Sequence, residues 1–239
     1  MLRTIQSTCL IVGLFSCSVV AARWGIASVF AYPAKKQLSE WQESQKLLNQ
    51  NQWGDIQADL NKALVKDPAN PEILRNLGLS DEGGSNYYPV GDNSAIEARQ
   101  FAYQYYQDAL TGRPTWPYHW ADLALVKYRL GELDTEFYMA FEHAIRLGPW
   151  EPWIQHIIAD IGMHNWNNFS PEVQVSVMKT IRNGLRHIDG AKTMLGLVTR
   201  YNMLEQVCDA DTDDQLLQQY CIQDKNEGLN IQLDSRLGK

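Results

Sequence analysis

Apolar side chains return every three or four residues through most of the chain beyond residue 36. Ile56, Leu60 and Ala63, for example, fall on one stripe of a helix, and Asp67-Pro68 closes that stretch. The pattern predicts an all-α fold. The predicted helices cover residues 37–48, 56–65, 70–78, 95–110, 150–164, 171–186 and 191–207, with a further pair between residues 116 and 149.

An alanine is followed five residues later by a proline at three helix ends. These pairs are Ala63 with Pro68, Ala109 with Pro114, and Ala144 with Pro149. The prolines lie 46 and then 35 residues apart. The second interval is close to the roughly 34-residue period of tetratricopeptide repeats, and the first is about 12 residues longer. Residues 37–208 are therefore predicted to form a right-handed superhelical stack of antiparallel helix pairs, and such arrays usually bind other molecules.

The N-terminal 36 residues are predicted to form a membrane anchor and a linker. Residues 4–22 carry no charge, and 19 residues of helix extend roughly 28 Å, close to the thickness of a bilayer core. A second apolar run, residues 24–32, has Trp24 and Tyr32 at its ends, as suits the headgroup zone. One transmembrane helix is expected to precede the repeats.

Two alternatives to an uncleaved anchor stay open. A secretory signal could be cleaved after the small residue Ala31, and Cys17 sits in the outline of a lipoprotein box in which Phe15 is unusually large. The flanking charges do not fix the orientation, because Arg3 and the terminal amine oppose Arg23 and the pair at residues 35–36.

The C-terminal segment, residues 209–239, is expected to be polar and partly helical. Cys208 and Cys221 are either a disulfide, which would indicate an oxidising compartment, or two unrelated thiols. Residues 209–214 alternate acids as a calcium loop does. Asp214 and Tyr220 replace the turn glycine and the bidentate glutamate, so a solvated acidic segment or a helix cap is expected.

No motif of a known catalytic chemistry occurs in the chain, and we expect a non-catalytic protein without cofactor or metal. The glycine-rich residues 81–93 lack the Gly-Lys-Ser/Thr ending of a phosphate-binding loop and are expected to form an inserted surface loop. His156, Asp160 and His164 follow one helix face, and neighbours such as His156 and Asp160 could co-ligate a divalent metal and support metal-assisted chemistry. The two histidines would be about 12 Å apart, so all three cannot share one ion, and a polar helix face is expected. The formal net charge of −7 argues against a nucleic-acid partner.

The repeat register predicts which residues line a concave groove. Counted from each closing proline, the groove positions of tetratricopeptide repeats fall on Glu72, Arg75, Leu79, Tyr118, Ala121, Leu125, Tyr128, Arg129, Trp153, His156, Asp160, Met163 and His164. The candidate binding residues among them are Glu72, Arg75, Tyr118, Arg129, Trp153, His156, Asp160 and His164. This groove is expected to be aromatic and of mixed charge. Aromatic faces there could alternatively stack on sugar rings.

Residues 112–124, with 127–132 and 147–152, resemble the VpsP-type polysaccharide-biosynthesis proteins. The quoted residues are Gly-Arg-Pro-Thr-Trp-Pro-Tyr-His-Trp-Ala-Asp-Leu-Ala, Lys-Tyr-Arg-Leu-Gly-Glu and Leu-Gly-Pro-Trp-Glu-Pro. The resemblance implies a bacterial, membrane-anchored protein with its body in the periplasm, and it supplies no catalytic residue. Within it, residues 113–117 are expected to form a rigid turn or a docking ledge.

Together these patterns predict a single-pass protein of the bacterial inner membrane that acts as a non-catalytic scaffold or adaptor in exopolysaccharide biosynthesis or export. Its expected partners are protein components of the polysaccharide assembly or export system, and the polysaccharide itself is a further candidate. The alternative function is a carbohydrate-binding module that holds the nascent polymer in the aromatic groove.

Overall fold

The computed structural model describes residues 2–44, 48–89, 91–186 and 188–208, and helices are the only regular secondary structure in this part of the chain. The helices are α1 (Leu2–Ser44), α2 (Gln50–Lys66), α3 (Pro71–Ser85), α4 (Asn93–Gly112), α5 (Pro117–Leu130), α6 (Thr135–Leu147), α7 (Pro152–His164), α8 (Pro171–Arg186), α9 (Ile188–Arg200) and α10 (Leu204–Cys208), with a 3-10 turn at Trp166–Asn168. The predicted all-α class is confirmed.

The chain forms two compact units, Met1–Leu133 and Asp134–Lys239. In the first unit each helix packs on the next, from α1 to α5, and α1 also contacts α3. In the second unit α6 packs on α7, α7 on α8, α8 on α9, and α9 also on α7. Contacts between successive helices and between helices two apart are those of stacked helix pairs. The border between the units falls inside the predicted 37–208 body, between the two helices of the third predicted repeat.

Helix α1 differs most from the prediction, because anchor, linker and first repeat helix are one continuous element. Its first half is apolar and exposed, and Leu10–Gln42 is long and apolar enough to cross a membrane. Its second half buries Ala27, Ala34 and Leu38 in a core shared with α2 and α3. Pro33 removes one backbone donor from this helix. Packing on both sides of the proline explains why the helix does not end there, and the boundary expected at residue 36 lies inside α1.

The core of the first unit is held by close approach of aromatic rings to helix glycines. Trp53 of α2 meets Trp41 edge to face at 5.2 Å between ring centroids. A Cβ at Gly83 of α3 would overlap the Trp53 ring, and a Cβ at Gly78 would overlap fully buried Tyr106 of α4. The two glycines therefore set how closely α2 and α4 approach α3.

Local capping by side chains explains where helices α3 and α4 begin. Asn70 precedes Pro71 and accepts hydrogen bonds from the Glu72 and Ile73 backbone amides, which caps the start of α3. Helix α4 begins at Asn93, two residues before the predicted start at residue 95, because Asp92 caps it by accepting a hydrogen bond from the Ser94 amide at 2.8 Å.

Two further predicted boundaries are wrong. The loop expected from residue 81 begins only after Ser85, because α3 continues for another turn against Trp53. The closing helix expected over 191–207 is interrupted after Arg200, where Asn202 adopts a left-handed conformation with φ 54°. Asparagine tolerates this conformation better than most residues, which favours a helix end at this position.

The second unit has an aromatic core on α6 and a glycine contact between α8 and α9. Phe137 and Phe141 pack with Phe169 at centroid distances of 6.3 and 5.7 Å. A Cβ at Gly184 would overlap the side chain of Met194, so this glycine allows the close contact between α8 and α9.

Cys208, at the end of α10, is disulfide-bonded. Its predicted partner Cys221, the acidic segment at 209–214 and the expected short helix at 214–221 lie outside the described residues.

Candidate functional site

Three of the predicted groove residues of the first unit, Glu72, Arg75 and Arg129, form ion pairs with residues that the register did not select. Glu72 of α3 pairs with Lys35 of α1. Arg75, one turn further along α3, donates from Nε to Asp122 Oδ2 of α5 at 2.5 Å. Its guanidinium also lies 5.3 Å from the centre of the Tyr118 ring. The structure thus brings Arg75 and Tyr118 together on the facing sides of α3 and α5.

A second pair joins the same helices further along. Arg129 of α5 contacts Glu82 Oε1 of α3 at 2.5 Å, and the Tyr106 hydroxyl of α4 donates to Glu82 Oε2 at 2.9 Å. Burial, and then the charge of Glu82, raise the pKa of Tyr106 well above its ordinary value, so the phenol stays a donor. Together the residues Arg75, Glu82, Tyr106, Asp122 and Arg129 are called the buried charge network below.

Sequence reasoning missed both acids of this network. Glu82 was placed in a loop, and Asp122 stands between Ala121 and Leu123 in an apolar stretch. Each side chain is at most 3% exposed. A single acid inside an apolar run is a usable signal, because a buried carboxylate needs a partner. Burial raises the pKa of Asp122, and the nearby Arg75 guanidinium offsets part of that effect.

His119 lies beside this network without joining it. Its side chain is 1% exposed, and neither ring nitrogen has a hydrogen-bond partner among the described residues. Burial, and then the positive charges of Arg75 and Arg113, lower its pKa to about 4. The imidazole is therefore neutral at pH 7.

In the second unit, the predicted groove residues of α7 contact α9 and the residues that follow it. His156 Nε2 lies 3.1 Å from the Gly190 carbonyl oxygen. Asp160 accepts a hydrogen bond from the Tyr201 hydroxyl at 2.8 Å, and the His164 ring meets the Tyr201 ring edge to face at 6.0 Å. These contacts tie α7 to the C-terminal helices.

Trp153, the fourth predicted residue on α7, is half-buried. No group of three or more histidine, cysteine or acidic residues in the described ranges is placed to hold a metal ion.

The turn at residues 113–117 is held by a side chain outside it. Trp120 donates its indole N–H to the Pro114 carbonyl oxygen at 2.7 Å. Trp116, within the turn itself, is 46% exposed, and its ring centroid lies 5.9 Å from that of Tyr118. This arrangement leaves the Trp116 ring partly available at the surface.

A separate open cleft lies on the first unit between α2, α3 and the start of α4, and is called the α2–α4 cleft below. Its volume is about 550 Å³. Gln57 of α2 donates from Nε2 to Asp81 Oδ1 of α3 at 2.5 Å inside it. Burial raises the pKa of Asp81 to about 6, and the hydrogen bond from Gln57 acts against this rise.

Sequence reasoning treated residues 81–93 only as a surface loop. In the structure their first five residues complete α3, and Tyr87 and Tyr88 wall the α2–α4 cleft. The tyrosine pair in an otherwise polar, glycine-rich segment was the available signal.

The chain matches no known protein-family profile, and no curated protein matches its sequence.

Proposed function

We propose that this protein is a membrane-anchored, non-catalytic helical adaptor that organises components of a bacterial exopolysaccharide biosynthesis or export system. One observation carries the anchoring part of the proposal. The exposed apolar half of α1 continues without interruption into the half that packs on α2 and α3. Such a helix fixes the first unit directly at the membrane surface, with no flexible linker between them.

The disulfide at Cys208 supports a periplasmic body. Structural disulfides persist in oxidising compartments such as the periplasm and are rare in the cytosol. The resemblance to the VpsP-type proteins also supports a helical body on the periplasmic side of the inner membrane. The charges that flank the apolar residues 4–22 favour neither orientation.

The arrangement of the charged residues supports a non-catalytic role. In the first unit Arg75 and Arg129 neutralise buried acids, and in the second unit Asp160 bonds Tyr201. These contacts hold helices together, which is what charged side chains do in a scaffold. The exopolysaccharide pathway and its protein components as partners rest on the family resemblance.

Crosslinking in the native host tests the adaptor role. The full chain, tagged at its C-terminus, should recover proteins of the polysaccharide machinery. A matched control replaces residues 2–23 by a cleavable export signal and keeps residues 24–44, so that the core positions of α1 remain. The control should recover fewer of these proteins, because it is no longer held at the membrane. Repeated recovery of none by the full chain would contradict the proposal.

Saccharide binding in the groove is the second candidate, favoured by the exposed Trp116 ring beside Tyr118. Replacing Trp116 and Tyr118 by alanine should then weaken binding of the host polymer without unfolding the chain. Unchanged binding by the folded double variant would dismiss the groove as the site.

A further inference from the structure

The α2–α4 cleft combines exposed aromatic rings with polar groups below them. Tyr87, Tyr88 and Phe101 are 47%, 42% and 49% exposed, although aromatic side chains of this size are usually more buried. The Tyr87 hydroxyl donates to the Leu48 carbonyl oxygen, which fixes the direction of that ring. Flat apolar faces that remain open to solvent can stack on the C–H face of a sugar ring.

Polar groups lie along the inner part of the cleft. Asp81 and Gln57 present a carboxylate and an amide, planar groups that together offer acceptors and donors. Ser80 also lines the cleft. Its hydroxyl is fully buried and has no hydrogen-bond partner among the described residues. Neighbouring hydroxyls of a sugar ring are both donors and acceptors, and therefore match this mixed set.

Two helix glycines border open space within the cleft. A Cβ built at Gly54 of α2 or at Gly84 of α3 would meet no atom within 4 Å, and both residues line the cleft. The neighbouring Gly83, by contrast, is required by the Trp53 ring. The space above Gly54 and Gly84 is therefore wide enough to accept an added methyl group, and only a large side chain would fill it.

The charge of the cleft restricts the ligand. Among the described residues that line it, Asp81 and Glu97 are acidic and none is basic. An acidic sugar or a phosphate would meet two carboxylates without a compensating cation. The same carboxylates and exposed rings would not oppose a cation, and the test below therefore includes a basic probe.

We propose that the α2–α4 cleft binds an uncharged saccharide, with Asp81 and Gln57 holding ring hydroxyls and with Tyr88 and Phe101 stacking on the sugar face. The volume of about 550 Å³ lies within the roughly 300–1,000 Å³ of small-molecule sites. This site is separate from the groove and does not depend on the adaptor role.

Titration of the full chain in detergent micelles tests the proposal. The probes are soluble neutral oligosaccharides of glucose, galactose, mannose and N-acetylglucosamine, with oligogalacturonate as the acidic probe and oligolysine as the basic one. Saturable binding of a neutral oligosaccharide is expected, and isothermal calorimetry measures its dissociation constant.

Three variants locate the binding. Phe101→Ala removes a stacking face and should weaken binding roughly five- to tenfold. Asp81→Asn keeps the shape of the side chain and should weaken binding by a similar factor. Gly84→Trp should fill the cleft and abolish binding. Gly84→Ala is the matched control, since the added methyl meets nothing within 4 Å and should leave binding unchanged.

Circular dichroism checks that each variant is folded, and Trp150→Ala, an exposed ring in the second unit, is the control for non-specific stacking. Failure of all neutral probes at millimolar concentration would overturn the proposal. So would variant-sensitive binding of oligolysine or oligogalacturonate alone, or binding that the three cleft variants leave unchanged. None of these outcomes affects the crosslinking result for the adaptor.

Discussion

Within the buried charge network, Arg75 is the residue whose loss should destabilise the first unit most. Its partner Asp122 is 1% exposed, so removing the guanidinium would leave a carboxyl group buried without a counter-charge. We expect Arg75→Leu to lower the free energy of unfolding by about 3–5 kcal/mol at pH 7, because a buried charge without its partner is strongly destabilising. Urea unfolding of the full chain in detergent, followed by circular dichroism, measures the loss.

A double variant distinguishes the effect of the unpaired Asp122 charge from the other effects of losing Arg75. Arg75→Leu with Asp122→Leu removes both charges and should recover most of the lost stability, since apolar replacements of a buried pair are often nearly neutral. A double variant no more stable than Arg75→Leu alone would show that other contacts of Arg75, such as the Tyr118 ring, carry the effect.

His119 predicts a dependence of stability on pH. Its pKa is about 4 in the folded chain and near 6.5 when unfolded, so between these values the unfolded state binds more protons. The contribution of His119 to stability is therefore complete above about pH 6.5 and is lost as the pH falls towards 4. The loss is at most about 3 kcal/mol.

The variant His119→Leu isolates this effect. Asp81 acts in the opposite direction, because its pKa is raised to about 6 and its folded form gains protons first as the pH falls. Asp81 is present in both chains, so it cancels in the comparison. Relative to the parent chain, His119→Leu should become progressively more stable between pH 6.5 and 4 in urea unfolding. A difference independent of pH would contradict the assignment.

At the scale of elements, α1 shows how one helix serves two environments. Ala34 faces the core with no exposed surface, whereas Ala22 lies on the exposed part of the same helix. Ala34→Leu should lower the free energy of unfolding by about 1–3 kcal/mol, because the added atoms must displace close-packed neighbours. Ala22→Leu is the matched control and should change it little. Equal effects of the two variants would mean that α1 does not pack as described.

For the whole molecule, the apolar part of α1 predicts how the protein attaches to the membrane. Val12 and Phe15 are 59% and 71% exposed, and an arginine at the centre of a spanning helix costs about 2.5–3.5 kcal/mol. The double replacement by arginine should therefore move the protein out of the carbonate-washed membrane fraction. Val175→Arg, at an exposed site of the second unit, should leave it there. A membrane-bound double variant would show that another part of the chain holds it.

Mass spectrometry of the purified protein decides the question of cleavage. The uncleaved anchor predicts the mass of the full chain, and a mass lacking the first 31 residues would instead support the signal peptide. In that case α1 would lose its exposed apolar half and Ala27, and keep the core positions Ala34 and Leu38.

Helix positions and several helix ends follow from the sequence alone, because they depend on contacts within a few residues. The stripe of Ile56, Leu60 and Ala63 needs only the local chain and is buried as predicted, and the cap at Asn70 is an equally local feature. The candidate groove positions also follow from a local register. A local register cannot identify their contact partners, because these partners are distant in sequence.

The tertiary structure alone decided what those side chains contact. Arg75 and Asp122 are 47 residues apart, and Asp160 and Tyr201 are 41 apart, so no local pattern pairs them. The continuity of α1 past Pro33, the extension of α3 to Ser85 and the open space above Gly84 depend in the same way on neighbouring helices. Local periodicity fixes where a helix forms, whereas packing fixes where it continues, which side chains it buries and which cleft it leaves open.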